Sequence, residues 1–343
     1  MASSSSLASL PAKTSTIQML WVRRVVATLL VVVGLVTFLY AGLATYIATK
    51  LVYVPQKPVT YNPAEYGLSY RNVTFPSRED NIQLKGWFIP GLLPGGKLTA
   101  QRTIIVVHGA RQNRADPAAG VLDLSREFAF NGFAVLAFDM RGEGESQPAA
   151  FSLGYFEQRD VLGAVDFLRS GTLPYPDLGR PKAIGGWGVS MGAATLLLAA
   201  AREPAIQAVI SDCAFADAIP ILEREIPNGG GLPAFFTPGA LIAARALYGM
   251  DFYADRPVDI IAKIAPRPLF LIHGLADSYI PSVNVDELYA AAKAAAKAAP
   301  NANVQIWHVP FADHAQSFHT LRTQYVQKAV AFFTAALGPD TSA

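Results

Sequence analysis

A serine with glycines two residues to either side is the first candidate for chemistry in the sequence. Ser190 lies in the pentapeptide GVSMG, directly after the apolar run AIGGWGV and directly before an alanine-rich stretch. A sharp turn between a strand and a helix lifts such a serine above the sheet edge, and the glycines let the two backbones pass closely. The first amides of the following helix then point at the same position, where they can bind a developing oxyanion. The segment therefore predicts Ser190 as a nucleophile.

A serine nucleophile needs a base, and the base needs a carboxylate that orients it. His314 follows the last apolar run directly, in the loop FADHAQSF, and is the favoured base, with His319 as its main rival. Asp277 follows the preceding apolar run, in HGLADSYIP, and is the favoured acid, whereas Asp212 is less well placed. Ligands and catalytic groups gather at the carboxyl ends of parallel strands. The three residues then occur in the chain order Ser, Asp, His.

An oxyanion needs two amides about 3 Å from the developing negative oxygen. Met191 follows the nucleophile and supplies one, and Ala110, in the loop after VVHG, is expected to supply the other. Arg111 and Arg114 could line the entrance and contact an anionic substrate group, although solvent-facing charges are the more typical role. Substrate contacts are expected from one residue of this loop and three aromatic residues further on: Arg111, Phe215, Phe235 and Phe236.

These loops require strands that end side by side, and the sequence has a suitable alternation. Residues 68–75 and 82–89 alternate apolar and polar positions, as half-buried antiparallel strands do. Further strands are predicted at 103–109, 133–142, 183–190, 205–212, 267–274 and 303–310. Helices are predicted at 118–130, 156–169, 191–202, 283–299 and 319–337. We therefore expect an α/β protein with a mostly parallel eight-stranded sheet and helices on both faces.

The segment 214–263 interrupts this alternation. It is rich in proline and in bulky apolar residues, and it is too long for an ordinary connection in a compact domain. The pattern favours a small helical lid inserted into the domain. A peripheral helical decoration without a gating role is the alternative.

An apolar run near the N-terminus indicates a membrane span. Residues 25–48 contain no charge and no proline, and a helix of that length is about 36 Å long, enough to cross a hydrocarbon core of about 30 Å. Arg23 and Arg24 precede the run, so we expect a cytoplasmic N-terminus and a catalytic domain outside. A cleaved signal peptide is the alternative, although its apolar core would be shorter and a small-x-small site would follow it.

The predicted organisation is a disordered cytoplasmic tail at 1–24, a transmembrane helix at 25–48, a linker at 49–65 and one catalytic domain at 66–338.

The composition excludes several classes of protein and site. With 52% hydrophobic and 16% charged residues, the chain of 343 residues is not intrinsically disordered. A net charge of +2 argues against a nucleic-acid binder. The single cysteine excludes an intramolecular disulfide framework and a thiolate zinc site.

Four motifs together resemble the α/β-hydrolases, and specifically the Bem46-like and serine-aminopeptidase-like branch. They are VVHGA, FDMRGEGES, GWGVSMGA, and LIHGLADSYIP followed by His314. The resemblance covers residues 68–338 and implies the α/β-hydrolase fold, with a membrane anchor in some Bem46-like members. It also implies that Asp139 and Arg141 are scaffold residues that tie their loop to the sheet. The loop ARQNR after the His-Gly pair departs from the usual small or Asn-rich loop, which affects the expected substrate class.

The residues and the resemblance together predict a membrane-anchored serine hydrolase. We expect it to cleave an ester or thioester of an acylated or lipid-like small molecule through an acyl-enzyme, with no metal or organic cofactor. A small-peptide hydrolase is the runner-up, for which Glu223 and Glu225 could hold an amino terminus. A catalytically silent, membrane-tethered binding scaffold is the alternative from another class. The expected partners are the acyl substrate and the lipid bilayer.

Overall fold

Continuous apolar runs form the centre of one eight-stranded sheet, as expected for strands that are covered on both faces. The computed structural model describes residues 13–230, 233–297 and 302–340. The strands in chain order are β1 (Arg71–Pro76), β2 (Gln83–Ile89), β3 (Gly91–Leu92), β4 (Leu98–Thr99), β5 (Arg102–Val107), β6 (Ala134–Phe138), β7 (Ala183–Val189), β8 (Ile206–Asp212), β9 (Leu269–Gly274) and β10 (Val304–Val309). Strands β3 and β4 form a separate two-stranded ribbon.

The order of strands in the sheet is β1-β2-β6-β5-β7-β8-β9-β10. Strands β1 and β2 pair antiparallel, β2 also pairs antiparallel with β6, and all other pairs in the sheet are parallel. After β5 the chain runs to β6 on one side and then returns to β7 on the other side. Ligand sites of open α/β sheets lie at the carboxyl ends of the strands where the order reverses in this way.

Helices cover both faces of the sheet. In chain order they are α1 (Lys13–Val52), α2 (Val121–Phe130), α3 (Gln158–Ser170), α4 (Met191–Arg202), α5 (Ile219–Gly230), α6 (Thr237–Tyr248), α7 (Pro257–Ile260), α8 (Val283–Ala296), α9 (Ser317–Thr320) and α10 (Arg322–Leu337). Side chains alternate across the sheet, so that Ile105 of β5 joins the core beneath α3, α4 and α8. Its neighbours Ile104 and Val106 join the core beneath α2 and α10.

The predicted α/β architecture with a mostly parallel eight-stranded sheet is confirmed, and most element boundaries differ from the expectation by only a few residues. The last predicted helix is interrupted in the structure. The run predicted at 319–337 is divided at Leu321, whose extended φ of −131° separates α9 from α10. The ribbon of β3 and β4 has no counterpart in the expected set of strands, because its two-residue strands are too short to show a pattern.

Helix α1 is longer than the predicted span at both ends. It begins at Lys13, so residues 13–24 are helical although we expected a disordered tail there, and residues 1–12 lie outside the described residues. No proline or glycine occurs between Lys13 and Arg24, so a helix that forms in the apolar run can extend towards the N-terminus. At the other end it continues to Val52 and stops before Pro55.

The segment predicted as a lid is mainly helical where it is described, with α5, α6, α7 and 3₁₀ turns at Ala234–Phe236 and Ile261–Ile264. Helices α5 and α6 lie beside Ser190, where their side chains line a cavity, whereas α7 and the turn at Ile261–Ile264 pack against α4 and α8. We call α5, α6 and the turn between them the cap. The last turns of α1 pack against it, and the apolar side chains of the two elements form shared clusters.

Candidate active site

The turn between β7 and α4 holds Ser190 in a conformation that few residues adopt. Its φ of 56° and ψ of −125° lie outside the allowed regions for ordinary L-residues, and its amide donates to the carbonyl of Asp212 at 2.8 Å. A Cβ at Gly188 would overlap the backbone of Gly192, and a Cβ at Gly192 would overlap the carbonyl of His108. Only glycine fits at both positions, so the residues around the serine make the sharp turn possible.

Ser190, His314 and Asp277 form one hydrogen-bonded chain. The Oγ of Ser190 lies 2.8 Å from Nε2 of His314, and Nδ1 of His314 lies 2.8 Å from Oδ2 of Asp277. Each of the three residues follows a different strand, namely β7, β10 and β9. The structure therefore brings together the nucleophile, base and acid that the sequence predicts, with the spacing that proton transfer requires.

The carboxylate of Asp277 is fixed from both of its oxygens. Oδ1 accepts the amides of Tyr279 and Ile280 at 2.9 and 2.7 Å, which leaves Oδ2 for His314. His273 is fully buried beneath it, with Nε2 at 2.8 Å from the carbonyl of Ile280 and 3.4 Å from Oδ2. Burial alone would raise the pKa of Asp277, but the hydrogen bonds from His273 and His314 hold that pKa below its ordinary value. Asp277 is therefore ionised and can orient an imidazole.

The two predicted oxyanion donors lie at neighbouring strand ends. Met191 is the first residue of α4, where amides have no partner within the helix, and Ala110 lies in the loop after β5. Among the described residues, neither amide donates to another backbone group. The Cβ of Ser190 would lie 3.5 Å from a Cβ built on Gly109, so the loop after β5 passes directly beside the serine. Both residues thus lie close to Ser190 with amides that have no backbone acceptor among the described residues, and their role as oxyanion donors stays a prediction.

A buried carboxyl group, that of Glu143, accepts a hydrogen bond from the loop after β5. One oxygen of Glu143 accepts the amide of Arg111, the residue after Ala110, and the side chain is almost completely buried. Burial and the nearby carboxylate of Glu157 raise the pKa of Glu143 well above its ordinary value. Glu143 lies in the motif FDMRGEGES, but its residue type and position alone do not mark it as a functional residue.

His108 is a structural residue of the same loop. Its ring is fully buried, and burial lowers its pKa to about 4, so the ring is neutral at pH 7. Its Nε2 accepts the amide of Met140 at 3.1 Å, so the proton is on Nδ1, which donates to the carbonyl of Gly109 at 2.8 Å. This arrangement fixes the turn that presents the amide of Ala110.

The competing candidates have other side-chain partners. His319 faces the carbonyl of Pro117 at 3.2 Å, and the remaining surface histidine, His308, pairs with Asp286 at 2.9 Å. Asp212 is buried and accepts the hydroxyls of Ser317 and Tyr325, both at 3.0 Å. Neither His319 nor Asp212 hydrogen-bonds to the triad through its side chain in the described part of the chain.

A cavity of about 380 Å³ opens onto Ser190 and His314, and its lining is mostly apolar. Arg111 lines it, as expected, with about half of its side chain exposed. The three aromatic residues predicted to contact substrate are not among the lining residues. Phe215 is buried in the core beneath the sheet, while Phe235 and Phe236 contact the ring of Tyr40 in α1. All three lie in the segment 214–263, but the sequence cannot tell which way each ring points.

Potential metal ligands also meet at this site within the described residues. Atoms of Cys213, Asp277 and His314 lie within 4.8 Å of one another. Asp277 and His314 are already bonded to each other, and burial raises the pKa of the Cys213 thiol well above its ordinary value. A neutral thiol is a poor metal ligand, so this donor set fits a hydrogen-bonded triad better than a metal centre.

Comparisons with known proteins agree with this geometry. A family model described as the alpha/beta hydrolase fold matches residues 102–238. An esterase of Pyrococcus furiosus, Pf2001, superposes with a TM-score of 0.65 at 23% identity, over 83% of this chain and 99% of that chain. The chain has the α/β-hydrolase fold.

Two further proteins are similar to this chain. The uncharacterized protein YfhR of Escherichia coli (strain K12) is 29% identical over 297 residues, which cover 86% of this chain and 90% of YfhR. The acylaminoacyl peptidase of Pyrococcus horikoshii superposes with a TM-score of 0.59 at 19% identity, over 83% of this chain and 46% of that chain. The narrower Bem46-like assignment stays a prediction.

Buried ion pairs stabilise the loop after β6 in this α/β-hydrolase fold. Arg141 pairs with Asp160 and Asp80, both at 2.6 Å, which agrees with the scaffold role that the resemblance implied. Asp139 accepts the amide of Arg114 at 2.7 Å and pairs with its guanidinium. We expected Arg114 to be solvent-facing, but it is 4% exposed, because the buried carboxylate of Asp139 requires a cation.

Proposed function

We propose that this chain is a serine hydrolase that cleaves an ester or thioester bond of an acylated or lipid-like substrate through an acyl-enzyme. The observation that carries the proposal is the chain of two 2.8 Å contacts from Ser190 through His314 to Asp277, at the end of a mostly apolar cavity. Acyl transfer needs this combination of nucleophile, base and orienting acid beside two free amides.

In the acylation step, His314 accepts the proton of Ser190 at Nε2 while Oγ attacks the carbonyl carbon of the substrate. The amides of Ala110 and Met191 bind the oxygen of the tetrahedral intermediate. Asp277 stabilises the imidazolium, which then protonates the leaving alcohol or thiol. The C–O or C–S bond breaks, and the acyl group stays on Ser190.

In the deacylation step, neutral His314 takes a proton from a water molecule, which attacks the acyl-enzyme carbonyl. Collapse of the second tetrahedral intermediate releases the carboxylic acid and returns the proton to Ser190. All protons move between the serine, the histidine, the water and the leaving group. The sequence of steps needs no redox partner.

The proposal includes retention of α1 as a membrane anchor, with the N-terminus cytoplasmic and the catalytic domain outside. Residues Ile17–Val52 form a helix that contains an 18-residue window with a mean hydropathy of 2.4, and no part of that window is buried. Fractionation of expressing cells should recover the full-length protein with membranes. Protease added outside intact cells or spheroplasts should digest the domain. Recovery of a soluble domain that lacks α1 would instead support a cleaved signal peptide.

The activity is tested with the purified full-length protein on short-acyl p-nitrophenyl esters. Ser190→Ala should lower kcat by about 10⁴-fold or more, whereas Ser170→Ala, an exposed serine at the end of α3, should have no effect. A fluorophosphonate probe should label wild type and Ser170→Ala but not Ser190→Ala. Undiminished hydrolysis by Ser190→Ala would falsify the assignment, and a folded wild type that is not labelled would favour the silent scaffold.

A small-peptide hydrolase is the second candidate, because Glu225 lines the cavity as a carboxylate. It accepts the hydroxyl of Tyr279 at 3.0 Å and lies 3.7 Å from Arg111, so these two groups already satisfy much of its charge. Glu223 does not line the cavity. A panel of esters, thioesters and aminoacyl amides separates the candidates: preference for amides with a free amino terminus, lost in Glu225→Gln, would favour the peptidase.

A further inference from the structure

The C-terminal end of α1 forms part of the wall of the cavity that contains Ser190. Ala48, Leu51 and Val52 line this cavity together with apolar side chains from the cap. Its volume of about 380 Å³ lies at the low end of the range for small-molecule sites. Helix α1, which the sequence predicts only as a membrane anchor, therefore also contributes to the candidate active site.

The spacing of residues in α1 explains this placement. Ala44, Ile47, Ala48, Leu51 and Val52 recur at intervals of three and four residues, so they share one face of the helix. All except the half-buried Leu51 are at most 4% exposed. This face shares apolar clusters with α5 and α6, so loss of α1 would uncover apolar cap surface and open the cavity on one side.

The N-terminal part of the same helix has different surroundings. Leu30 and Phe38 are 67% and 75% exposed, and the change to a packed environment begins at Tyr40. The hydroxyl of Tyr40 donates to the carbonyl of Phe235 at 3.1 Å and accepts the amide of Gly239 at 3.2 Å. One continuous helix thus has a fully exposed apolar part and a part that belongs to the catalytic domain.

A group of polar residues in the cavity lining extends from the base, His314. The ring of Tyr279 lies 5.0 Å from the ring of His314, and its hydroxyl donates to Glu225, which lies near Arg111. A leaving group with polar atoms would find partners there. The apolar lining from α1 and the cap offers no such partners and suits a hydrocarbon chain, which is driven from water without directional bonds.

We infer that the last two turns of α1 are a specificity-determining wall of an acyl-binding chamber, and that the substrate is an ester or thioester with a medium-length acyl chain. This inference rests on the proposed function, since the acyl chain must be attached to the carbonyl that Ser190 attacks. It assigns to α1 a role in substrate selection in addition to anchoring.

The test compares two identical substitutions on one helix in the full-length protein. Ala48→Phe places a ring in the chamber, whereas Ala41→Phe places it on the exposed face of α1. The measurement is the ratio of kcat/KM for octanoyl to kcat/KM for acetyl p-nitrophenyl ester. We expect Ala48→Phe to lower this ratio by about tenfold, the size of effect that one or a few methylenes have in an apolar pocket. Ala41→Phe should leave it at the wild-type value.

A second variant should shift the substrate preference towards longer acyl chains. Leu51→Ala enlarges the chamber, so it should raise kcat/KM for dodecanoyl relative to octanoyl ester, and it does not require the cavity to accept a larger side chain. Labelling with a fluorophosphonate shows whether each variant retains a formed active site.

The outcomes separate this inference from the proposed function. The role of α1 in substrate selection would be overturned if wild type, Ala48→Phe and Leu51→Ala had equal chain-length profiles. If hydrolysis still depended on Ser190 in that case, the proposed serine hydrolase function would be unaffected. Undiminished hydrolysis by Ser190→Ala would instead contradict the proposed function itself. A lowered octanoyl-to-acetyl ratio in Ala48→Phe and a raised dodecanoyl-to-octanoyl ratio in Leu51→Ala support the inference.

Discussion

The sheet edge and the cap meet at one cavity, but they are built by different forces. At the sheet edge, Ser190, Asp277 and the loop after β5 are held by backbone amides and buried polar groups, each with a defined partner. In the cap, the contacts with α1 are mainly apolar, with aromatic rings packed around Tyr40. Hydrogen bonds, which are directional, dominate at the sheet edge, whereas apolar contacts, which are not, dominate between the cap and α1.

This difference separates two tasks of the molecule. Directional bonds fix atoms to within fractions of an ångström, which a hydrogen-bonded triad needs. Apolar packing fixes volume and shape, and hydrophobic side chains of similar size can replace one another at small cost. We therefore expect substitutions at the sheet edge to change kcat strongly and substitutions in the cap to change substrate preference or stability.

The largest effect should come from Asp277→Asn. An asparagine cannot stabilise the imidazolium of His314 and favours the wrong tautomer, so kcat for a short ester should fall by about 10⁴-fold with little change in KM. The control is Asp286→Asn, whose carboxylate pairs with His308 on the surface. Steady-state kinetics on both variants measures the difference, and a loss below tenfold in Asp277→Asn would mean that another carboxylate orients the base.

A smaller effect is expected behind the oxyanion loop. Glu143→Ala removes the acceptor for the amide of Arg111, so the neighbouring amide of Ala110 loses its support, and kcat should fall by about 10²-fold. Glu143→Gln keeps an acceptor oxygen and should restore most of the activity. If both variants have the same kcat, the carboxyl group does not position the loop through this hydrogen bond.

The same carboxyl group should affect stability in a pH-dependent way. Because the pKa of Glu143 is raised in the folded state, its contribution is fully present below the unfolded value of about 4.3 and is lost as the pH rises towards the folded value. Glu143→Gln should therefore gain stability relative to wild type between pH 5 and pH 8, by up to about 1.4 kcal/mol per pH unit. Denaturant unfolding at both pH values measures this, with exposed Glu287→Gln as a control that should show no such trend.

The smallest effect tests the contact between α1 and the cap. Tyr40→Phe removes one hydrogen bond to the carbonyl of Phe235 and one from the amide of Gly239, while the ring stays in place. The free energy of unfolding should fall by about 1 kcal/mol, with kcat for acetyl esters within twofold of wild type. A fall in kcat by tenfold or more would show that the two regions are coupled more tightly than their contacts suggest.

The sequence was sufficient for the sheet edge because each functional residue there sits directly after a strand. Strand ends are marked by local patterns, and the topology of parallel strands brings them to one edge, so Ser190, Asp277 and His314 could be placed without tertiary information. Glu143 and His273 were not assigned as supports of this edge, because a buried carboxyl or imidazole has no pattern of its own. Only the position of Glu143 within FDMRGEGES pointed to it.

The packing between the cap and α1 could not be predicted from the sequence. The face formed by Ala44, Ile47, Ala48 and Val52 has helical spacing, with polar residues such as Lys50 between its members, but it continues an uncharged apolar run that by itself predicts only a membrane span. Phe235 is exposed and Phe215 is buried, although both are phenylalanines in the same segment. Such choices depend on which surface lies opposite, and that is known only once the chain is folded.

The contacts of Tyr40 with Phe235 and Gly239, where α1 meets the cap, have a consequence for how the proposed enzyme would meet its substrate. From Tyr40 to Val52 the helix rises about 20 Å, so an anchored domain would stay within a short, fixed distance of the bilayer surface. Amphiphilic molecules that partition into that surface are concentrated in a thin layer, and enzyme and substrate then search for each other in two dimensions. The rate would therefore depend on the number of substrate molecules per area of membrane, and diluting the vesicles at constant surface density would leave it unchanged.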